Sequence, residues 1–272
     1  MEKEIHRLID KAVNGDPVSL EKLIKNVQDK IYNLALRMLW SPDDAQDAGQ
    51  EILLKIITNL SSFRKECKFS TWRYKIAANY LLTQRKKNII ENNISFEQFH
   101  EELGGFKTGG GEEYGVDKDL LLRELKIGCT HAMLLCLERD YRVIFILSVI
   151  FKTNSRDGAY IMEVTPETYR KRLSRAKKKI SGFMENNCGL VNSKNYCHCE
   201  KRLNTAIEDK RTDPRRLLFV NNGGIENSLR EMERLDALSS VYLSAPQYIS
   251  PKNILENLKK IIESKRFDIL SN

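Results

Sequence analysis

This sequence is short of several residue types and patterns, and each shortage excludes a class of function. Among its 272 residues there are only four histidines, three of them far from the C-terminal cysteines, and no nucleophile-base arrangement can be read from their spacing. A metal- or thiol-dependent enzyme is therefore not expected, and no catalytic residue is assigned. No apolar run approaches the about 20 residues needed to cross a bilayer, so no membrane insertion is expected. The N-terminal stretch MEKEIHRLIDKAVNGD carries charges where a signal peptide has its apolar centre, which predicts a cytoplasmic protein. Glycine is concentrated in GGFKTGGGEEYG, but that stretch lacks a Gly-Lys-Ser/Thr ending and a preceding strand. It is not a phosphate-cradling loop.

Charge is what the chain has in quantity. Charged residues make up 30% of it and hydrophobic residues 41%, with a formal net charge of +8 and an isoelectric point near 9.1. Such a balance favours a polyanionic partner without choosing between nucleic acid and an acidic membrane surface. How the charge is distributed is more informative than its sum.

Helical periodicity runs through residues 1–90 with no competing strand pattern. Two helices are predicted at Ile5 to Ala12 and Ser19 to Leu39, split by the breaker Gly15-Asp16-Pro17. The second has an inner face of Leu20, Leu23, Ile24, Val27, Ile31, Leu34, Ala35 and Met38. After the Ser41-Pro42-Asp43 turn, Ala45, Ala48, Ile52, Ile56 and Leu60 recur at steps of three and four and form one apolar stripe. On another flank Asp44, Asp47 and Glu51, with Gln50 beside them, make an acidic and amide-rich stripe suited to a basic partner. A polar loop, Ser61 to Lys68, carries Phe63, Arg64, Lys65 and Lys68, an aromatic and basic mixture able to stack on and clamp unpaired bases. A further helix, capped by Ser70 or Thr71, is predicted to turn Trp72, Ile76, Ala77, Tyr80 and Leu81 inward and to end in Arg85, Lys86 and Lys87.

Taken in order, DAQDAGQEILLKI, then SSF, then FSTWRYKIAANYLLTQRKK resembles the polymerase-binding and promoter-melting domain of bacterial sigma factors of the small, extracytoplasmic-function type. The resemblance implies that Asp44, Asp47, Gln50 and Glu51 face core RNA polymerase. It also implies that Phe63, Lys68, Trp72, Arg73 and Asn79 lie on or support the surface that captures the non-template strand of promoter DNA.

From Asn88 to Asp117 the periodicity fades, and the composition predicts a flexible linker. Helical pattern resumes at Lys118 and runs, with a turn near Glu138-Arg139-Asp140, to Phe151. A short helix from Ser155 to Met162 precedes Thr165-Pro166-Glu167, a capping residue, a first-turn proline and an acid that together mark a helix start. The helix they open, PETYRKRLSRAKKKISGF, is the most basic element of the chain. Two helices joined by a tight turn, the second one basic, form a helix-turn-helix whose second helix enters the major groove. Glu167, Thr168, Arg170 and Lys171 are placed for contacts at or near base edges, and Arg172, Arg175, Lys178 and Lys179 for contacts to phosphate. Leu173, Ala176 and Ile180 should face inward.

SRDGAYIMEVTPETYRKRLSRAKKKI is similar to the domain of the same family that reads the upstream promoter element. Two positions depart from the family pattern. Gly158 stands where an aliphatic residue is usual, and Glu163 occupies the turn where glycine is common, so looser packing of the first helix and an altered turn are expected.

The chain continues past this unit into a tail that contains Cys188, Cys197, His198 and Cys199. Three thiolates of that set, with His198 outside it, are suited to Zn²⁺ or Cu(I). Metal or redox sensing, a structural ion and unliganded thiols all remain open readings, and no cofactor is required for the main function. The remaining cysteines, Cys67, Cys129 and Cys136, read as free thiols. Helical character returns over Lys201 to Lys210, Ile225 to Leu243 and Pro251 to Lys265.

The expected architecture is all-α, with two small helical domains, a flexible linker and a mainly helical extension. Residues 1–90 bind polymerase and the melted promoter, 91–117 link, 118–186 hold the helix-turn-helix, and 187–272 form the extension. The resemblance implies a sigma factor that directs promoter recognition and transcription initiation, with core RNA polymerase and promoter DNA as partners and an anti-sigma or other regulatory protein as a further one. The alternative is a free-standing helix-turn-helix regulator that needs no polymerase.

Overall fold

The computed structural model describes residues 2–83, 94–105, 115–209, 211–218 and 247–263. Among these residues the regular structure is helical apart from one isolated bridge between Cys188 and Cys197. The chain divides into two compact units: residues 1–84, 154–169 and 249–272 form the first, and residues 85–153 and 170–248 the second.

In the first unit, helix α1 spans Glu2–Val13, α2 Pro17–Leu39, α3 Pro42–Thr58 and α4 Phe69–Thr83. Helix α2 begins where the Gly15-Asp16-Pro17 breaker predicts. Asp16 caps it by accepting from Val18 N at 3.2 Å and from Ser19 Oγ at 2.5 Å. The Ser19 hydroxyl is the main reason the Asp16 carboxyl titrates below its usual range. The whole predicted inner face of α2 is buried. Helix α3 packs against it, and its Ala45, Ala48, Gly49, Ile52, Leu53 and Ile56 are buried.

Helix α4 departs from expectation. Ala77 and Leu81 are buried as predicted, but Trp72, Ile76 and Tyr80 are only half-buried, while Phe69, Tyr74 and Ala78 fill the core. Apolar residues occur all round this helix, so spacing alone does not select a face.

Helix α8, Ser155–Ile161, also belongs to this unit and packs against α4. So does helix α11, Lys252–Glu263, whose Ile254 and Leu258 are fully buried and whose Ile254 Cδ1 lies 3.9 Å from the position a Cβ on Gly49 would take. Ser250 fixes its approach, donating to Asp29 Oδ1 through its backbone N at 2.9 Å and its hydroxyl at 2.7 Å. Lys259 pairs with Glu21 at 3.1 Å.

The second unit holds α5, Phe96–Gly104; α6, Lys118–Leu135; α7, Arg139–Phe145, which continues into a wider π turn over Ile146–Ile150; and α10, Cys199–Glu208. Helix α9, Pro166–Asn187, starts in the first unit and continues in the second. The α6–α7 turn is held by Arg142, which is 1% exposed. Its guanidinium donates to the carbonyls of Leu134, Leu135 and Leu137 at 2.8, 2.8 and 3.0 Å, supplying partners that the end of a helix lacks. Burial lowers its pKa to about 10.

Helix α5 lies inside the stretch 91–117 expected as a flexible linker and gives its residues Phe96–Gly104 regular structure. Ser95 and Gln98 make a reciprocal capping box, with Gln98 N to Ser95 Oγ at 3.1 Å and Ser95 N to Gln98 Oε1 at 2.8 Å. Phe96 and Phe99 then pack on Phe183 with ring centroids 5.2 and 5.3 Å away. A short helix with a good cap and aromatic anchors survives beside glycine. The stretch 106–114 and the predicted helix from Ile225 to Leu243 lie outside the described residues.

Candidate polymerase and nucleic-acid interface

The acidic stripe is built by the cap and packing of α3. Ser41 Oγ accepts from Asp44 N at 3.2 Å and Pro42 occupies the first turn, so Asp43 and Asp44 sit at the positive end of the helix dipole. Since the apolar stripe faces α2, the opposite face emerges outward. Asp47 and Glu51 are exposed, and Asp44 and Gln50 half-buried. Among the described residues none of these three acids has an ion-pair partner. Tyr80 of α4 lies close enough to register them: burial first, then the charges of Glu51 and Asp47, raise its phenol pKa.

The loop after α3 is organised from within. Phe63, expected to offer a stacking face to DNA, is only 7% exposed. Its ring sits 5.9 Å from His6, 5.4 Å from Phe69 and 5.4 Å from Trp72. Once Trp72 and Phe69 are adjacent, burying a third ring among them is worth more than leaving it in water. Arg73, which the resemblance puts on or in support of the DNA-binding surface, is 5% exposed, with its guanidinium 4.9 Å from the centre of the Tyr74 ring. In this conformation both side chains are buried rather than exposed to a partner.

Trp72 is half-buried, and Lys68 and Asn79 are exposed. Lys68 stands 3.9 Å from Asp157. Lys65, in left-handed backbone at φ 60°, is tied to Asp10 at 2.6 Å. Lys75, which the sequence reading did not single out, bonds Glu163 at 2.8 Å with its ammonium 4.8 Å from the centre of the Tyr160 ring.

The turn between α8 and α9 accounts for both departures from the family pattern. A Cβ built on Gly158 would come within 2.2 Å of Cζ and 2.4 Å of Oη of Tyr169, which is fully buried. The tyrosine occupies the volume an aliphatic side chain would otherwise fill, so the expected looseness of α8 is not observed. Glu163 adopts φ 53°, the left-handed backbone that usually selects glycine. Non-glycine residues pay on the order of 1–2 kcal/mol for that geometry, and the bond to Lys75 offsets part of it. Thr165 caps α9, accepting from Thr168 N at 3.2 Å, and its hydroxyl lies 2.9 Å from that of Thr168.

Along α9, Arg170, Lys171, Arg175, Lys178 and Lys179 are exposed, as is Lys177, which the sequence reading passed over within its Lys-Lys-Lys run. Ala176 and Ile180 are buried as expected, Leu173 only half. Two of the cations are already engaged. Arg172 pairs with Asp140 at 3.0 Å, and Lys179 reaches Glu138 at 3.4 Å with its ammonium 5.5 Å from the centre of the Tyr141 ring. Arg170, Arg175 and Lys178 have no ion-pair partner among the described residues.

Of the residues able to ligate metal, Cys188, Cys197 and Cys199 are half-buried free thiols. Burial raises the Cys197 pKa to about 11 and also lifts that of Cys199. No described helix is long and apolar enough to cross a membrane.

Among the described residues the chain thus combines an acidic stripe that has no ion-pair partner with a cationic loop and a basic helix after a tight turn, surfaces suited to a basic partner and to a polyanion. Residues 23–88 match the Sigma-70 region 2 family and residues 127–180 the Sigma-70 region 4 family. The ECF RNA polymerase sigma factor SigW of Bacillus subtilis is 27% identical over 187 residues, covering 66% of this chain and 96% of its own length. The RNA polymerase sigma-H factor of Pseudomonas aeruginosa is 26% identical over 189 residues, 68% and 95% of the two chains. The ECF RNA polymerase sigma-E factor of Escherichia coli K12 is 28% identical over 182 residues, 65% and 93%. The chain therefore carries the Sigma-70 region 2 and region 4 pair and is similar to sigma factors of the extracytoplasmic-function type over most of their length.

Proposed function

We propose that this sigma factor works by the following division of tasks. The exposed carboxylates of Asp47 and Glu51, flanked by Asp44 and Gln50, dock on a basic surface of core RNA polymerase. Trp72, Lys68 and Asn79, backed by the buried Phe63 and Arg73, engage the opened promoter strand. Thr168, Arg170 and Lys171 approach base edges of the upstream duplex, and Arg175 and Lys178 hold its phosphates. Arg172 and Lys179 serve the same duplex once Asp140 and Glu138 release them.

The work is binding and strand capture, with no bond made or broken by the chain itself, and its place is the cytoplasm, where core polymerase acts. An anti-sigma or other regulatory protein is an additional partner. The observation that carries this reading is the coexistence, in one chain, of an acidic stripe that has no ion-pair partner among the described residues and a capped basic helix that follows a tight turn.

Run-off transcription with purified core polymerase and a promoter library tests it. The expected result is a subset of templates transcribed only when the chain is present. Specific duplex binding without any effect on, or association with, core polymerase would instead identify a free-standing regulator.

A further inference from the structure

Lys68, Trp72, Lys75 and Asn79 follow one another at steps of four, three and four, so they line one side of α4 and its entry. That side is covered within the first unit. Helix α8 packs on α4 and brings Asp157 and Tyr160, with Glu163 just beyond its end, against two of the four. Asp157 stands 3.9 Å from Lys68, Glu163 bonds Lys75 at 2.8 Å, and the Lys75 ammonium lies 4.8 Å from the centre of the Tyr160 ring.

These three side chains offer α4 what a nucleic-acid strand would offer it. Two carboxylates meet two ammoniums where phosphates would, and an aromatic face meets a cation where a base would. The local fold holds them in place. Asn154 caps α8, accepting from Arg156 N at 3.0 Å and Asp157 N at 2.9 Å, and its amide donates to Asp157 Oδ2 at 2.7 Å, which orients that carboxylate. Glu163 is set by its left-handed backbone at φ 53°. Tyr160 stays 45% exposed, so its ring lies over Lys75 as a cover and not as part of the core.

We propose that Asp157, Tyr160 and Glu163 form a stripe that mimics nucleic acid and masks the strand-capturing side of α4, so that an opened DNA strand and the first helix of the helix-turn-helix compete for one surface. This rests on the assignment of α4 to strand capture under the proposed function. The Lys75 ammonium cannot keep Glu163 and the Tyr160 ring while it turns to a phosphate, and a strand laid along Lys68, Trp72, Lys75 and Asn79 needs the volume that α8 fills. Since α8 leads into α9 through the short turn 162–165, its release also moves the start of the basic helix. The apparent affinity for a strand is then the intrinsic affinity reduced by the fraction of chains in which α8 has left.

The test uses the full-length chain without core polymerase and a fluorescein-labelled single-stranded DNA of random sequence. Tyr160→Ala removes the ring without changing net charge, and Glu163→Gln removes the carboxylate's charge while keeping the side chain's shape. Each should raise affinity for the strand about two- to fivefold, and the two together should raise it further. A gain for Tyr160→Ala cannot come from a change in net charge. Unchanged affinity in both variants overturns the proposal.

Hydrogen exchange on the wild-type chain provides a readout that needs no variant. At saturating single-stranded DNA the amides of α4 should become protected and those of α8 should exchange faster. Protection of α4 with unchanged exchange in α8 overturns the mask and leaves the strand-capture assignment standing. Saturation without protection of α4 overturns both.

Discussion

The acidic stripe of α3 and the basic face of α9 carry opposite charge, and they differ in how much of it is already paired. On α3, Asp44, Asp47 and Glu51 have no ion-pair partner among the described residues, and the helix that carries them is anchored through its opposite face. On α9, Arg172 and Lys179 are held by Asp140 and Glu138, and the start of the helix depends on a close fit between Gly158 and Tyr169. A surface with unspent charge docks without first breaking anything. A surface with paired charge must exchange internal partners for phosphate, so it discriminates more and gains less per contact.

The largest expected effect tests the α3 half of that comparison. Reversing charge with Asp47→Lys and Glu51→Lys places like charges against a basic docking surface, which costs several kcal/mol, or more than about a hundredfold in affinity for core polymerase. Because both positions are exposed, thermal stability should stay within about 0.5 kcal/mol of wild type. Holoenzyme assembly at wild-type affinity, measured by competition for core polymerase, would remove α3 as the docking element.

On the other half, Gly158→Ala should be the most damaging single substitution. The added methyl has to displace the Tyr169 ring, and overpacking of this kind costs about 1–3 kcal/mol. Denaturant unfolding measures it, with the expectation that promoter binding falls as well. If stability is unchanged, α8 and α9 are not locked by this contact.

Salt dependence then separates paired from unpaired cations on α9. Removing Arg175 or Lys178 should lower the slope of log affinity against log salt by about 1 each. Removing Arg172 or Lys179 should lower it by less, because part of their charge is neutralised before DNA arrives. Equal slopes for all four variants, measured by titrating a promoter duplex at several salt concentrations, would mean that Asp140 and Glu138 let go completely.

How much of this was legible in the sequence follows from where one periodicity dominated. The inner face of α2 and the apolar stripe of α3 could be read residue by residue, because each helix has one apolar side and one polar side. Helix α4 could not, since Phe69, Trp72, Tyr74, Ile76, Tyr80 and Leu81 leave no clear polar side, and tertiary packing chose among them. Phe63, by its loop and by the resemblance, and Arg73, by the resemblance alone, were expected on or in support of a surface. A neighbouring Trp72 and Phe69 and a neighbouring Tyr74 drew them inward. Helix α5 had a readable cap at Ser95 and Gln98 and a readable Phe96, Phe99, Leu103 spacing, but the glycines that follow masked both. The Gly158–Tyr169 exchange of volume depends on a contact between two separate helices, and no local pattern announces it.

The smallest effect concerns the turn itself. Glu163 holds left-handed backbone while its carboxylate raises the pKa of Lys75, through the hydrogen bond between them first, against a smaller opposing contribution from burial. A lysine whose folded pKa is raised contributes stability that is fully present below its unfolded value and is lost as pH rises through the folded one. With Lys75 and Glu163 side chains 29% and 60% exposed, the pair is worth at most about 0.2–1 kcal/mol. Lys75→Met should therefore lower stability slightly at neutral pH, and the gap to wild type should close at strongly alkaline pH. Glu163→Gly removes the same bond but also relieves the left-handed backbone, so it should be less destabilising than Lys75→Met, or mildly stabilising. If Glu163→Gly proves the more damaging of the two in denaturant titrations, the carboxylate holds the turn through something other than Lys75.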